Sequence, residues 1–505
     1  MPQVSAGRSL PLGWLAAAAA LLALVPVLFV PIPGLADAPA HLARHYILSV
    51  APSGGPLARY FAVQWQWIAN LGEDLPVTLL SHWLGAELAT RLVTALIAPL
   101  TIAGLFALSR AAHGRISASA FLALPLVLNQ AWMYGFLNYC LGIGLALLTA
   151  AWLYARKPET VAGQLGLVVA ALVVWTAHMA SWATLLLLAA GNELAGLRSV
   201  RDLWPAMRRN WPLLVPLIPL LLWRSHSSGS DFAWVYEDLL RTKVAVFAGA
   251  LRGTWMKLDF ALLAAVGLAS LLALRWAGPR QLEPRLAISG LLLAAGALAA
   301  PEFLLNSWGT DLRTAPIALM ILVLAITPAR DARRERLLCL VGLALFAVRL
   351  GSVTWVWAAR SPELEQRLTM LNAVPRGGRL GYIYVRPDCD GWTLTPDEKL
   401  ASYAVVRREA FTNTLFMVDN ARLVTIRDPH LQERWSSDSQ RVKRTCPDGR
   451  IDMAALRDTL VKMRADGFDA IWVSGVPSGE VPLPTGFGVA HRLPAETMLV
   501  RSSNR

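Results

Sequence analysis

Long apolar runs recur through the first 360 positions, parted by short polar stretches rich in arginine. A helix rises about 1.5 Å per residue, so about 20 apolar residues cross about 30 Å of hydrocarbon. On that rule eleven spans are predicted, over 12–33, 87–109, 117–133, 136–155, 162–177, 180–197, 211–224, 258–276, 286–304, 313–329 and 337–358. The 162–197 run is longer than one span needs, and it is divided around His178 into two short helices. The pattern is that of a polytopic α-helical membrane protein with about eleven transmembrane helices.

Near 360 the pattern changes. "GGRLGYIYVRP" reads as a turn and a strand. "DMAALRDTLVKMRADGFDAIWVSG" reads as an amphipathic helix, a glycine stop at Gly467 and a second strand. "GVAHRLPAETMLVRS" reads as a hairpin. The chain therefore divides into a transmembrane region, 1–359, whose first outer loop is 34–86, and a small α/β domain, 360–505.

The arginines give the orientation. With the N-terminus in the cytoplasm, the cytoplasmic loops hold Arg110 and Arg115, Arg156 and Lys157, Arg198, Arg201, Arg208 and Arg209, Arg275, Arg280 and Arg285, then Arg330, Arg333, Arg334 and Arg336. The opposite loops are poorer in positive charge per residue, as the positive-inside rule requires. Eleven spans then put the C-terminal domain outside. Residues 1–38 also admit a reading as a cleaved signal peptide, with Ala36-Asp37-Ala38 as the cleavage site. The apolar stretch is longer than a signal peptide uses, which favours a retained helix.

Composition agrees with a membrane protein: of 505 residues 55% are hydrophobic and 16% charged, where soluble proteins carry about 25% charged residues. Mean hydropathy is +0.46. The net charge of +13 does not point to nucleic acid, because the basic residues are clustered between apolar runs rather than along a groove. Cys140 and Cys339 lie in apolar runs and are read as packing residues. Cys389 and Cys446 share the polar domain and are predicted to form a disulfide, since that domain is placed outside. No CxxC or Cys/His metal spacing is read from the chain.

Candidate chemistry collects in the outer loops. "GLADAPAHLAR" puts Asp37, His41 and Arg44 just past the first span. If Pro39 starts a helix, Asp37 can cap it, and His41 follows one turn later. The plain alternative is a capped juxtamembrane helix with Arg44 meeting headgroups. Further along the loop, Asn70 and Asp74 share a face if helical, with Glu73 as an equally placed acid and Trp65 and Trp67 suited to an interfacial belt. Asn129, Gln130, Tyr134 and Asn138 sit in the turn after the third span. His178 occupies a turn where a packed, hydrogen-bonded histidine is the commoner outcome. Asp311 and Arg313 open the tenth span, where an ion pair or a headgroup anchor is the plain reading. Each has a bland explanation alone, yet all fall on one side of the membrane. Acids and a histidine can take a hydroxyl proton, and an arginine can hold a phosphate bidentately. In a membrane pocket these suggest glycosyl transfer from a polyprenyl-phosphate sugar.

The strings "DAPAHLAR" (37–44), "NLGED" (70–74), "GFLNYCLGIGL" (135–145) and "DLR" (311–313) resemble motifs of the GT-C superfamily of integral-membrane glycosyltransferases, which includes protein O-mannosyltransferases and 4-amino-arabinose transferases. The resemblance implies a catalytic acid in the first outer loop, matched by Asp37, with His41 and Asp74 orienting or sharing its role. It implies that Arg313 holds the lipid phosphate; Arg44, Asn70, Asn138, His178 and Asp311 are, from their positions, further substrate-binding candidates. The donor would be a polyprenyl-phosphate sugar, the acceptor a glycan, lipid or protein hydroxyl, and the setting a bacterial inner membrane with its lipid. Many members carry a pair of acids where this chain has Asp37 followed by Ala38-Pro39. That departure leaves the metal unknown, a divalent cation being the one cofactor to consider. The competing readings are a non-enzymatic lipid or polysaccharide transporter and an assembly subunit on the same fold. The chain shows no internal repeat of the kind many transporters carry.

Overall fold

The computed structural model describes residues 12–156, 158–224, 232–233, 236, 238–304, 307–386, 391–415, 423–436, 439–445 and 448–502. Cys389 and Cys446 lie outside the described residues, and so does the predicted disulfide.

The first run gives α1 (Leu12–Leu22) and, after a break ahead of Pro26, one further turn, Val25–Leu28. The first outer loop then supplies α2 (Ala38–Val50), the short strand β1 (Phe61–Val63) and α3 (Asp74–Leu84). Next come α4 (Ala86–His113) and α5 (Leu137–Ala155). The divided run gives α6 (Val161–Ala177) and α7 (Met179–Leu194), with His178 alone between them. The later apolar helices are α8 (Met256–Trp276), α9 (Pro284–Ala299), α10 (Thr310–Leu324) and α11 (Ala332–Leu368). Among the described residues, four helices are long and apolar enough to cross a membrane: α4, α5, α8 and α11.

Two stretches depart from the expected spans for local reasons. The 117–133 run is broken into Ala118–Ala123, a 3-10 segment Leu124–Leu128 around Pro125, and Gln130–Tyr134. Asn129 sets the second break: its Oδ1 accepts the backbone N–H groups of Ala131 and Trp132, which starts a new helical turn there. The 211–224 run likewise holds a 3-10 turn at Trp211–Leu214 and a helix only over Leu217–Arg224. At the other extreme, α11 runs without a break past residue 360, so the composition change falls inside a helix rather than in a linker.

The C-terminal part forms a six-stranded sheet. Its members are β2 (Arg379–Val385), β3 (Phe411–Thr412), β5 (Arg441–Val442), β6 (Ala470–Ser474), β7 (Phe487–Leu493) and β8 (Glu496–Arg501). The order is β7-β8-β6-β2-β3, with β5 beside β2. The central strands β2 and β6 pair in parallel and are almost wholly buried, which is why they read as unbroken apolar runs. Helix α12 (Met453–Ala465) buries Leu456, Leu460 and Met463, one stripe at helical spacing. It stops before Gly467, whose φ of +75° is the left-handed conformation that ends helices.

The first loop and the sheet share one core. Ile47 and Leu48 of α2 and Phe61 of β1 pack with Ile383, Phe411 and Leu499. One more strand, β4 (Val424–Ile426), pairs antiparallel with β1, Phe61 opposite Ile426. A second tie is polar and buried. Asp259 of α8 accepts from the Gly253 and Thr254 backbone N–H, the Thr254 hydroxyl, Trp392 Nε1 and Arg349 Nη1 of α11, at 2.7–3.1 Å. Arg349 also donates to the Leu128 carbonyl, and both charged groups are sealed from solvent.

Candidate functional site

Most of the predicted site residues meet at one end of the helical bundle, and the way the first loop is seated there explains why. The turn 133–135 receives the start of α2: Ala36 N–H donates to the Met133 carbonyl and Asp37 N–H to that of Tyr134. Gly135 sits at φ +81°, and a Cβ on it would lie 3.0 Å from the Asp37 nitrogen and 3.2 Å from the Asp37 Cβ. Only glycine suits that backbone and that contact. Gly135→Ala should therefore move Asp37 or strain the turn, costing on the order of 1–3 kcal/mol locally. The expected result is a folded protein with strongly reduced function; full activity in Gly135→Ala would detach Asp37 from that turn as its positioning device.

Asp37 does occupy the N-cap position of α2, with Pro39 in the first turn. Its carboxylate makes no cap hydrogen bond, so the capping role expected for it is not the one it fills. It lies half-buried, near enough to Tyr134 and to Arg313 for their charges to interact.

Arg44 is committed inward. Its Nη2 donates to Asp74 Oδ2 at 3.0 Å and its Nε lies 2.9 Å from Oδ1 in an ion pair, rather than meeting headgroups. Asp74 opens α3 and is buried, with His45 Nε2 at 3.6 Å. Asn70 is not on a helix with Asp74, because α3 begins only at Asp74. The two are instead joined by Asn138 of α5, whose Nδ2 donates to the Asn70 carbonyl and Oδ1 and to Asp74 Oδ2. Asn138 Oδ1 also accepts the Glu73 backbone N–H at 2.7 Å. One amide side chain thus holds three residues of the "NLGED" segment in place.

Glu73 and Asp74 part company. Glu73 is fully buried; its Oε1 accepts from the Thr94 hydroxyl at 2.8 Å and its Oε2 has no hydrogen-bond partner. Burial pushes its carboxyl up to about 8. Burial likewise holds the imidazoles of His41 and His45 down to about 3, so both are neutral bases. Reasoning from sequence missed His45 altogether. The signal was there: His41 and His45 are four apart on α2, a helical spacing that aims two imidazoles one way. A ligand atom from each of His41, His45 and Glu73 lies within 4.8 Å of the others, a grouping that involves no cysteine.

The remaining predicted residues resolve into different jobs. His178 caps α7, its Nδ1 accepting the Ala180 N–H at 3.0 Å, and its ring meets Tyr139 edge-on. Asp311 is buried against Lys243 Nζ at 2.8 Å and the Tyr236 hydroxyl at 2.7 Å, so its ion pair is with Lys243 and not with Arg313. Arg313, also buried, lies over the Phe136 ring at 4.1 Å and donates to the Trp308 carbonyl. Trp65 and Trp67 are exposed, and Trp67 Nε1 donates to Thr176. Cys140 and Cys339 are buried free thiols.

Asp37 therefore stands half-buried within electrostatic reach of buried Arg313, one helical turn ahead of His41. Such a site can take a proton and hold an anion. No family model matches the chain, and no curated protein matches it. Solved structures do. The crystal structure of ArnT from Cupriavidus metallidurans in the apo state superposes with a TM-score of 0.56 at 13% identity, over 97% of this chain and 98% of that one. The structure of ArnT bound to undecaprenyl phosphate gives 0.52 at 12% identity, over 98% and 99%. The shared fold runs the length of both chains. The chain thus shares the fold of ArnT, and among its described residues four helices are long and apolar enough to cross a membrane.

Proposed function

We propose that this chain of GT-C fold is a glycosyltransferase that moves a sugar from a polyprenyl-phosphate donor to an acceptor hydroxyl. It would work at the extracytoplasmic face of a bacterial inner membrane, on about eleven spans, with the N-terminus in the cytoplasm and the sheet domain outside. The observation that carries the reading is Asp37: a half-buried carboxylate at a helix start, not used as a cap, seated on the 133–135 turn within electrostatic reach of buried Arg313. The full-length likeness to a protein crystallised with undecaprenyl phosphate supports the class of donor.

In this mechanism Asp37 takes the proton of the acceptor hydroxyl as its oxygen attacks the anomeric carbon. The bond to the lipid phosphate breaks on the opposite face, so the anomeric centre inverts. Arg313 steadies the phosphate that departs with the bonding pair. His41, neutral and one turn from Asp37, helps orient it. Arg44 acts through Asp74 and Asn138, fixing the loop rather than touching donor. His178 and Asp311 support helix starts around the site. The acceptor is a glycan, lipid or protein hydroxyl.

The test is transfer itself. Purified protein in liposomes would be given radiolabelled polyprenyl-phosphate sugars and a membrane extract. Label should move to acceptor with the intact chain. Lipid movement between leaflets without any transfer, across a panel of donors, would favour the transporter reading and overturn this one.

A further inference from the structure

We infer that His41, His45 and Glu73 form a zinc site that ties α2 to the segment entering α3. The inference concerns the resting protein and stands independently of the reaction proposed above.

Three ligand atoms, one from each side chain, converge within 4.8 Å of one another. Neither His45 Nε2 nor Glu73 Oε2 has a hydrogen-bond partner, and both residues are fully buried. Leaving such buried polar atoms unsatisfied is costly, the more so if they carry charge. Two such unsatisfied atoms, on residues whose ligand atoms cluster this closely, are an arrangement a cation would satisfy.

The outer contacts aim them. His45 Nδ1 is held by the Thr90 hydroxyl at 3.0 Å, which directs Nε2 to the shared point. Glu73 Oε1 is held by the Thr94 hydroxyl at 2.8 Å, which directs Oε2 there. Thr90 and Thr94 are four apart on α4, so one helix face orients two ligands. Metal sites characteristically have such a supporting layer. Asn138 adds to it by fixing the Glu73 backbone.

The donor set selects the ion. Two imidazoles and a carboxylate, with an open position, are zinc-enzyme chemistry; magnesium and calcium prefer oxygen ligands throughout. Among common divalent ions zinc also binds nitrogen donors more tightly than manganese or iron. A point equidistant from three atoms 4.8 Å apart is about 2.8 Å from each, and zinc bonds to nitrogen and oxygen are about 2.0–2.2 Å. Inward shifts of under about 1 Å would close the site. The Asp74 carboxylate, 3.6 Å from His45 Nε2 but bound by Arg44, stands beside the open position.

The experiment measures metal, not sugar transfer. Full-length protein is expressed with zinc supplied, purified without chelator, and assayed by mass spectrometry and by X-ray absorption. About one zinc per chain is expected, with two imidazole ligands in the absorption spectrum. His45→Gln and Glu73→Gln should each lower zinc affinity at least tenfold against a chromogenic chelator, with the protein still monodisperse. Where a variant fails to fold, the ligand count in the unaltered protein decides. Folded protein holding less than a tenth of an equivalent would overturn the inference, as would zinc bound without imidazole ligands or retained unchanged by folded His45→Gln/Glu73→Gln protein. A transfer assay that fails while zinc is bound would bear on the proposed reaction alone.

Discussion

Asp37→Asn is expected to lower sugar transfer by roughly 10²–10⁴-fold, the usual worth of a general base, with folding and expression intact. Asparagine keeps the size of the side chain and suits an N-cap about as well as aspartate, so α2 should start where it does now. The native carboxylate makes no cap bond, so little helix stability rests on it. What the substitution removes is charge and basicity beside Arg313. His41→Ala should lose less, and Arg313→Lys should weaken donor use, because a planar fork is replaced by a single ammonium. The measurement is initial transfer rate at matched protein level, with complementation of a deletion strain as the cellular check. Asp37→Asn protein working at near-native rate would deprive the site of its base and return this loop to a purely structural role.

Arg349→Met is expected to be the most damaging substitution for stability. It leaves Asp259 buried with its guanidinium partner gone, and breaking a buried ion pair from one side typically costs about 3–5 kcal/mol. The Leu128 carbonyl loses its donor as well. Asp259→Asn added to Arg349→Met should recover part of the loss, because the stranded charge disappears while Thr254 and Trp392 can still be accommodated. Thermal unfolding in detergent would read both. A single variant melting within about 1–2 °C of the parent, less than 1 kcal/mol would produce in a domain of moderate size, would show that the pair contributes nothing net.

How much of this was legible beforehand depends on the range of the interaction. Helices α4, α5, α8 and α11 announce themselves as long apolar runs, and the division at His178 follows from bilayer thickness alone. The stop at Gly467 and the strands "GYIYV" and "AIWVS" are local signals that the fold keeps. The 117–133 stretch was misjudged because hydropathy is blind to Pro125 and to the Asn129 cap, which decide where a helix must restart. Asp37, His41 and Asp74 were legible as polar residues leaving a membrane. Their partners were not. Asp74 finds Asn138, His45 finds Thr90, Asp259 finds Arg349, and Asp311 finds Lys243, each pair more than forty positions apart and unmarked by any local pattern. The spacing of His41 and His45 was the exception, a local signal present and passed over.

The pairing of β1 with β4 has a consequence for how the protein comes into being. The strand that braces the first outer loop is translated roughly 360 residues after the loop itself, and at about 5–20 residues per second that is a delay of tens of seconds. During that interval α2 exists without the sheet that shares its core. A ribosome that stalls or terminates early would thus release a chain with its first loop unbraced. Pulse-labelled truncation products should accordingly be cut by protease in the 51–70 segment that full-length chains protect. Synthesis of β4, rather than insertion of the helices, would be the event that braces the first outer loop.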